Sequence, residues 1–284
     1  MHTQIMTFYR TCDAFVQQKG VHDDPQTQMT TVEVLTTVLA AAWFFAGNLR
    51  LACAAMSALG FVPKMLSESQ FSRRRHRVTL ADWQALLTLL AQQHPAETFV
   101  ADSCPLAVCH NKRAARSRLY QDAAGAYWGY CAAKEEYFYG LKAHTVVSAS
   151  GRPVEVVLLC GCSHDLTGLK EMTLPLPEGA TLYADKAYTD YGYEDKLQTD
   201  RKIRLLPIRK GSHKRQHSAE VAKRLSYTRK RIETTFSQIA AKLPRRIHAV
   251  TPAGFESKVL ATFVAFAIVC AKAEKTADKQ RVTS

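Results

Sequence analysis

The order of strands and helices that the sequence predicts after residue 97 constrains the fold more than any other feature. Runs rich in β-branched and aromatic residues predict strands, and longer stretches with a three- or four-residue apolar period predict helices. The predicted order is strand 98–108, strand 137–148, strand 154–160, helix 165–174, strand 181–188, helix 191–199, strand 203–208 and helix 218–243. Gly151 and Pro153 form a turn that makes the second and third strands a hairpin. We therefore predict an α/β domain with a mixed five-stranded sheet flanked by helices.

Three strands followed by alternating helices and strands is the order of the ribonuclease H-like fold, which we assign to this region. In that fold the first and fourth strands lie side by side at the centre of the sheet. Asp102 and Asp185 lie on those two strands and are expected to be neighbours. Glu233, on the last helix, is expected to cover the same end of the sheet.

The last helix has one apolar stripe with its acidic residue at the edge. The stripe consists of Val221, Leu225, Ile232, Phe236, Ile239 and Leu243. Glu233 can therefore face a cleft while its helix stays packed on the core. Arg229 lies one turn earlier, where it either pairs with Glu233 or binds a phosphate beside it. An ordinary surface ion pair is the alternative.

Three carboxylates that converge on one point repel each other unless cations neutralise them. Carboxylate oxygens are hard ligands that select Mg²⁺ or Mn²⁺, and we expect two such ions. Two ions about 3.5–4 Å apart activate a water or a 3′-hydroxyl and stabilise the leaving oxygen in phosphoryl transfer. We therefore predict Asp102, Asp185 and Glu233 as both the catalytic residues and the metal ligands.

The positive charge of the chain indicates a polyanionic partner. The formal net charge is +13 and the pI is near 9.4. Lys and Arg number 8 against 7 acidic residues up to Glu97, and 30 against 18 beyond it, so the excess lies in the second part. The DNA-binding candidates there are Lys112, Arg113, Arg116, Arg118, Lys142, Lys210, Lys214, Arg215 and Arg229. For Lys142, the polar face of an edge strand is the alternative reading.

Residues 1–97 are predicted to be helical and to bind DNA. Ser67 and Gln70 have the spacing of a capping box, which starts a short helix. That helix and the residues just after it carry Arg73, Arg74 and Arg77, as in a helix-turn-helix reader. A solvated basic face is the alternative. We place the domain limits at 1–97, 98–271 for the catalytic domain, and 272–284 for a charged C-terminal tail.

The cysteines and apolar runs favour a cytoplasmic protein. The eight cysteines include no CxxC pair, which argues against a zinc ribbon, and we interpret them as free thiols in a reducing compartment. The longest apolar run, 259–269, is too short to span a bilayer and predicts a buried helix, so we expect no membrane partner. Ser163 or Asp165 is expected to cap the helix at 165, and a catalytic role for His164 and Asp165 is the alternative.

Four segments resemble the DDE transposases of bacterial insertion sequences, and most of all the family that insertion-sequence nomenclature numbers 982. The segments are Asp102-Ser103-Cys104-Pro105, the run 137–144 (YFYGLKAH), the run 183–188 (YADKAY) and the run 229–238 (RKRIETTFSQ). The resemblance assigns the DDE triad to Asp102, Asp185 and Glu233. It also implies a Tyr, an Arg and a Lys around the glutamate. Arg229 fits, whereas Tyr227 is displaced by one residue and Ala240 occupies the Lys position, with Lys242 nearby.

We therefore predict a DNA transposase that binds double-stranded transposon ends and target DNA and catalyses metal-dependent strand cleavage and strand transfer. Bringing two ends together predicts a homodimer, and the expected location is the bacterial cytoplasm, at the nucleoid. One alternative is a metal-dependent nuclease of the same fold without strand transfer. Another is a non-catalytic DNA-binding derivative of a transposase.

Overall fold

The chain forms two compact units. The computed structural model describes residues 1–121, 125–132, 135–244 and 247–282, with side chains up to residue 277 in the last segment. One unit comprises Met1–Leu90 with Ile239–Ser284, and the other comprises Ala91–Gln238. These units differ from the predicted limits at residues 97 and 271, because the chain after residue 238 groups with the N-terminal helices. Tail residues 278–284 lie outside the described side chains.

The first unit is helical. Its helices are α1 (His2–Lys19), α2 (Thr31–Phe44), α3 (Leu49–Ala58), α4 (Glu68–Arg75), α5 (Leu80–Gln93, which continues past the unit limit) and α9 (Pro252–Val282). The Ser67–Gln70 capping box is present at the start of α4, as predicted. The buried residues of α9 lie on all its sides between Val259 and Ile268, because α1 and α2 pack against it. Trp83 Nε1 on α5 donates a hydrogen bond to Ser257 Oγ on α9 at 3.0 Å.

Residues 252–277 of α9 are long and apolar enough to cross a bilayer, although 72% of the most apolar stretch of this helix is buried inside the protein. A core helix meets the same criterion. α2 and α3 meet it only as a pair bent by 113°.

The second unit contains a mixed sheet of six strands. The strands are β1 (Thr98–Cys109), β2 (Trp128–Cys131), β3 (Glu136–Ser148), β4 (Pro153–Cys160), β5 (Thr181–Ala184) and β6 (Arg204–Pro207). Their order is β2-β3-β1-β5-β6, and β4 also pairs with β3. The helices are α6 (Asp165–Lys170), α7 (Tyr191–Arg201) and α8 (Ala219–Lys242, which continues past the unit limit). The predicted five strands are all present, and β2 is an addition that the sequence did not reveal.

Alternating side chains of the central strands make two cores, one on each face of the sheet. Phe99, Ala101 and Leu182 belong to the larger core, whereas Val100 and Val147 pack with Ile232 of α8 on the other face. β1 is antiparallel to β3 and parallel to β5. A mixed sheet with helices on it fits the ribonuclease H-like fold.

Candidate active site

The register of β1 and β5 places two aspartates next to each other, directly after the last residue pair of the two strands. The last pair of the parallel ladder is Ala101 with Ala184, and the next residue on each strand is Asp102 and Asp185. β5 ends there rather than at the predicted residue 188. Asp185 then caps a 3-10 helix, accepting a hydrogen bond from Lys186 N at 2.6 Å. The structure therefore brings together two of the three predicted catalytic residues from positions far apart in the chain.

α8 brings Arg229 and Glu233 to the same end of the sheet. Ile232, which is fully buried, packs on Val100 and Val147 and so anchors this turn of α8 beside Asp102. Thr235 Oγ1 donates a hydrogen bond of 3.0 Å to the carbonyl of Gly151 in the β3–β4 turn. Gly151 has φ +92°, and a Cβ there would lie 2.7 Å from Thr235 Oγ1, so only glycine fits this contact.

The guanidinium of Arg229 bridges two carboxylates. Its Nη1 lies 3.6 Å from Asp185 Oδ1, and its Nε lies 3.4 Å from Glu233 Oε1. The i,i+4 pair with Glu233 was predicted, whereas the contact with Asp185 was not. Because 57% of the Glu233 side chain is exposed, the pair with Glu233 alone would stabilise the fold little. Arg229 also lowers the pKa of Asp102, which places its charge within reach of all three acids.

Asp102 lies in an environment that disfavours its charge. Burial, and then repulsion by Asp165 and Asp185, raise its pKa from 3.8 to about 6. A hydrogen bond of 2.8 Å from Ser103 N and the charge of Arg229 oppose that rise. The positive charge near the Asp102 carboxylate therefore does not fully compensate its burial and the neighbouring carboxylates. A bound divalent cation would supply the missing positive charge.

The donor chemistry of the three acids fits Mg²⁺ or Mn²⁺, since all their ligand atoms are carboxylate oxygens. Among the described residues, no three His, Cys, Asp or Glu side chains are grouped closely enough to bind an ion. Arg229 bridges two of the acids instead. The guanidinium therefore lies between Asp185 and Glu233.

A fourth carboxylate, Asp165, lies beside Asp102, although the sequence favoured a helix cap over a catalytic role for it. We expected Ser163 or Asp165 to cap α6, but the N-cap is His164 and no side chain caps the helix. Asp165 Oδ1 instead accepts a hydrogen bond of 2.6 Å from Ser103 Oγ, next to Asp102. Lys142 Nζ lies 3.4 Å from the same oxygen and donates to the Ser163 carbonyl at 2.8 Å. Lys142 is thus directed into this network and mostly buried.

His144 closes the network from behind. It is 1% exposed, its Nδ1 lies 4.0 Å from Asp165 Oδ1, and burial lowers its pKa to about 4. α6 approaches the ring so closely at Gly168 that a Cβ there would clash with it. His144 therefore acts as a neutral packing group, and Lys142 provides the charge that balances Asp165. The register of β1 and β3 indicates this arrangement, because Ser103 pairs with His144 across the two strands.

The structure separates the predicted DNA-binding cations into exposed and engaged ones. Those with exposed side chains are Arg73, Arg77, Lys112, Arg113, Arg116, Arg118, Lys210 and Lys214. Arg74 instead contacts Asp23 Oδ1 and the Met29 carbonyl, both at 2.9 Å. Arg215 is exposed as well, but it donates two hydrogen bonds to Asp195, at 2.6 and 2.8 Å.

The residues around the glutamate motif differ in their surroundings. Tyr227 is 81% exposed. Lys242 Nζ lies 4.0 Å from the centre of the Trp43 ring, a cation–π distance. Lys242 and Trp43 both belong to the helical unit.

The chain matches a family of known proteins. Residues 93–268 match the family described as the transposase DDE domain. That segment includes all four carboxylates and Arg229. No curated protein matches the chain. Since the family match spans more than half of the chain, this protein belongs to the DDE-domain transposases.

Proposed function

We propose that the chain is the transposase of an insertion sequence similar to those numbered 982, and that it cleaves element ends and joins them to target DNA. The observation that carries the proposal is the bridge that Arg229 makes between Asp185 and Glu233, beside the last residue pair of β1 and β5. In this proposal two ends are held by a homodimer, at the nucleoid in the bacterial cytoplasm.

Asp102, Asp185 and Glu233 would hold the divalent ions that DDE transposases generally use. When bound, such ions supply Lewis acidity that activates the attacking oxygen and neutralises the leaving one. Asp102 is held in place by Ser103 and by Asp165 beyond it. Arg229 neutralises Asp185 and Glu233 while no substrate is bound. Once released, its planar fork binds the phosphate next to the scissile bond.

The test uses purified protein and linear DNA that carries both ends of the element, with Mg²⁺ or Mn²⁺. Nicked ends and joined products are expected. Asp102→Asn, Asp185→Asn and Glu233→Gln should each abolish both products while DNA binding persists, because each change removes a negative ligand with little change in volume. Asp200→Asn and Glu178→Gln alter exposed acids elsewhere and serve as matched controls.

The alternatives give different products. A nuclease without strand transfer would cut the ends and yield no joined DNA. A non-catalytic derivative would bind the ends and do neither. Folded triad variants that cut at near wild-type rates would overturn the assignment of the three acids.

A further inference from the structure

Strands β2 and β3 form a two-stranded ribbon with four aromatic rings on one face. Tyr130 lies opposite Tyr137, and Trp128 lies opposite Tyr139. Residues two apart on a strand share a face, so both pairs lie on the same side. The ring centres are 5.1 Å apart in the first pair and 5.4 Å apart in the second, both within contact range for aromatic side chains. This arrangement is the aromatic ribbon to which we refer below.

The inner end of the aromatic ribbon is fixed to the domain. Tyr139 is buried, and its hydroxyl donates a hydrogen bond of 2.7 Å to the Tyr120 carbonyl. On the opposite face, a Cβ at Gly129 would clash with the Gly161 carbonyl and the Phe138 ring. That face is therefore packed, and the aromatic face has a rigid backing.

The outer end of the aromatic ribbon is exposed. Tyr137 is 64% exposed, Tyr130 is 51% exposed and Trp128 is 38% exposed. Three neighbouring aromatic rings in water on a backed face form an apolar patch of the kind that marks interaction sites. Tyr139 is the buried member of the four rings, and the other three extend from it towards solvent.

Exposed cations flank this patch. Asn111 Nδ2 donates a hydrogen bond of 2.6 Å to the Tyr137 carbonyl, which fixes the 3-10 helix Asn111–Arg116 beside the outer pair. That helix exposes Lys112, Arg113 and Arg116, and Arg118 follows before the segment that supports Tyr139. Glu136 precedes Tyr137 on β3 and so lies on the other face of the ribbon.

We propose that the aromatic ribbon binds single-stranded DNA by stacking unpaired bases on Tyr130, Tyr137 and Trp128 while the neighbouring cations bind the phosphates. Aromatic rings beside a basic groove are the arrangement that binds single strands without sequence preference. In a duplex the flat faces of the bases are covered, so these rings reach bases only where a strand is unpaired. The inference rests on the proposed function, in which strand cleavage at an element end supplies such a strand.

The test measures binding of an oligonucleotide of about 12 bases that carries 2-aminopurine, against a duplex of the same sequence, with the full-length protein. We expect single-strand binding to quench the 2-aminopurine. The Tyr130→Ala/Tyr137→Ala double variant should bind the single strand at least about tenfold more weakly and the duplex within about twofold of wild type. The Tyr130→Phe/Tyr137→Phe variant should restore quenching, since it keeps both rings. Tyr9→Ala, at an exposed tyrosine of α1, is the control.

Equal weakening of single-strand and duplex binding would overturn the inference, because it would show a general charge or folding effect. Unchanged single-strand binding by the double alanine variant would overturn it too. So would a double alanine variant that loses self-association of the protein but binds DNA as the wild type does. The two proposals fail separately. A protein that cuts element ends without quenching 2-aminopurine refutes the aromatic ribbon alone, and one that quenches but never cuts refutes the proposed function alone.

Discussion

Replacing Asp102 by Asn should stabilise the protein while abolishing its activity. The folded state raises the pKa of this carboxyl from 3.8 to about 6. At neutral pH the carboxylate is therefore charged in both states, and its burial in the folded state lowers the free energy of unfolding. At about 1.4 kcal/mol per pKa unit, the difference corresponds to roughly 3 kcal/mol. Asn removes the charge, keeps the volume and leaves an oxygen to accept the Ser103 N–H.

The pH dependence of this effect has a definite sign. Because the folded state holds the Asp102 proton more tightly, wild-type stability falls as the pH rises from about 4 to about 6 and then levels off. The variant lacks this loss. Its advantage in free energy of unfolding should therefore be about 3 kcal/mol at pH 7 and only about 0.5 kcal/mol at pH 4.

Urea unfolding followed by circular dichroism, in EDTA and at several pH values, measures the difference. Excess Mg²⁺ should reduce the advantage at neutral pH, since it neutralises the carboxylate in the wild type only. Asp200→Asn, at an exposed position, should stay within about 0.5 kcal/mol throughout. A variant that is less stable than wild type at pH 7, or a difference that does not change with pH, would refute the reasoning.

Three further sets of substitutions probe the site and the helical unit. Arg229→Ala should slow cleavage on the order of 100-fold, and Arg229→Lys should recover little activity, because binding the phosphate needs the planar guanidinium. A loss within about threefold would show that Arg229 only forms an ion pair with the acids. Asp165→Asn and Ser103→Ala should each weaken Mn²⁺ binding about tenfold, as measured by electron paramagnetic resonance. Fully additive effects in the double variant would contradict the idea that both residues act on Asp102 through their shared hydrogen bond. Arg73→Ala should cost about 1–3 kcal/mol of preference for element ends over random duplex in mobility-shift assays. Arg74→Ala should instead lower thermal stability, because Arg74 is bonded to Asp23; equal losses of end preference would contradict this division.

The predictable part of the fold depended on local patterns. Apolar periodicity predicted α8 as 218–243, and the helix observed is Ala219–Lys242. The pairing of the strands that carry Asp102 and Asp185 followed from their order along the chain. β2 was missed because four residues between short turns show no clear alternation, and the strand exists through its pairing with β3.

The unpredicted contacts of the site join residues distant in sequence. Asp165 is a residue type and stands at a position that predict a helix cap. Its actual partner, Ser103, lies 62 residues away in the sequence. Arg229 was expected to pair along its own helix, which is a local rule, whereas its approach to Asp185 depends on how α8 docks on the sheet. The apolar residues of α9 predicted burial, but which helices would cover them was not encoded in any local pattern.

The contact between Gly151 and Thr235 bears on how copies of such a gene lose function. These residues are 84 positions apart, and neither carries a charge. A single-base change that turns this glycine into alanine or valine would push α8 away from the β3–β4 turn and carry Glu233 with it. A genomic copy with all its acids intact would then be silent. Inventories that count active elements by their acidic residues would overestimate them unless they also require a glycine at this turn.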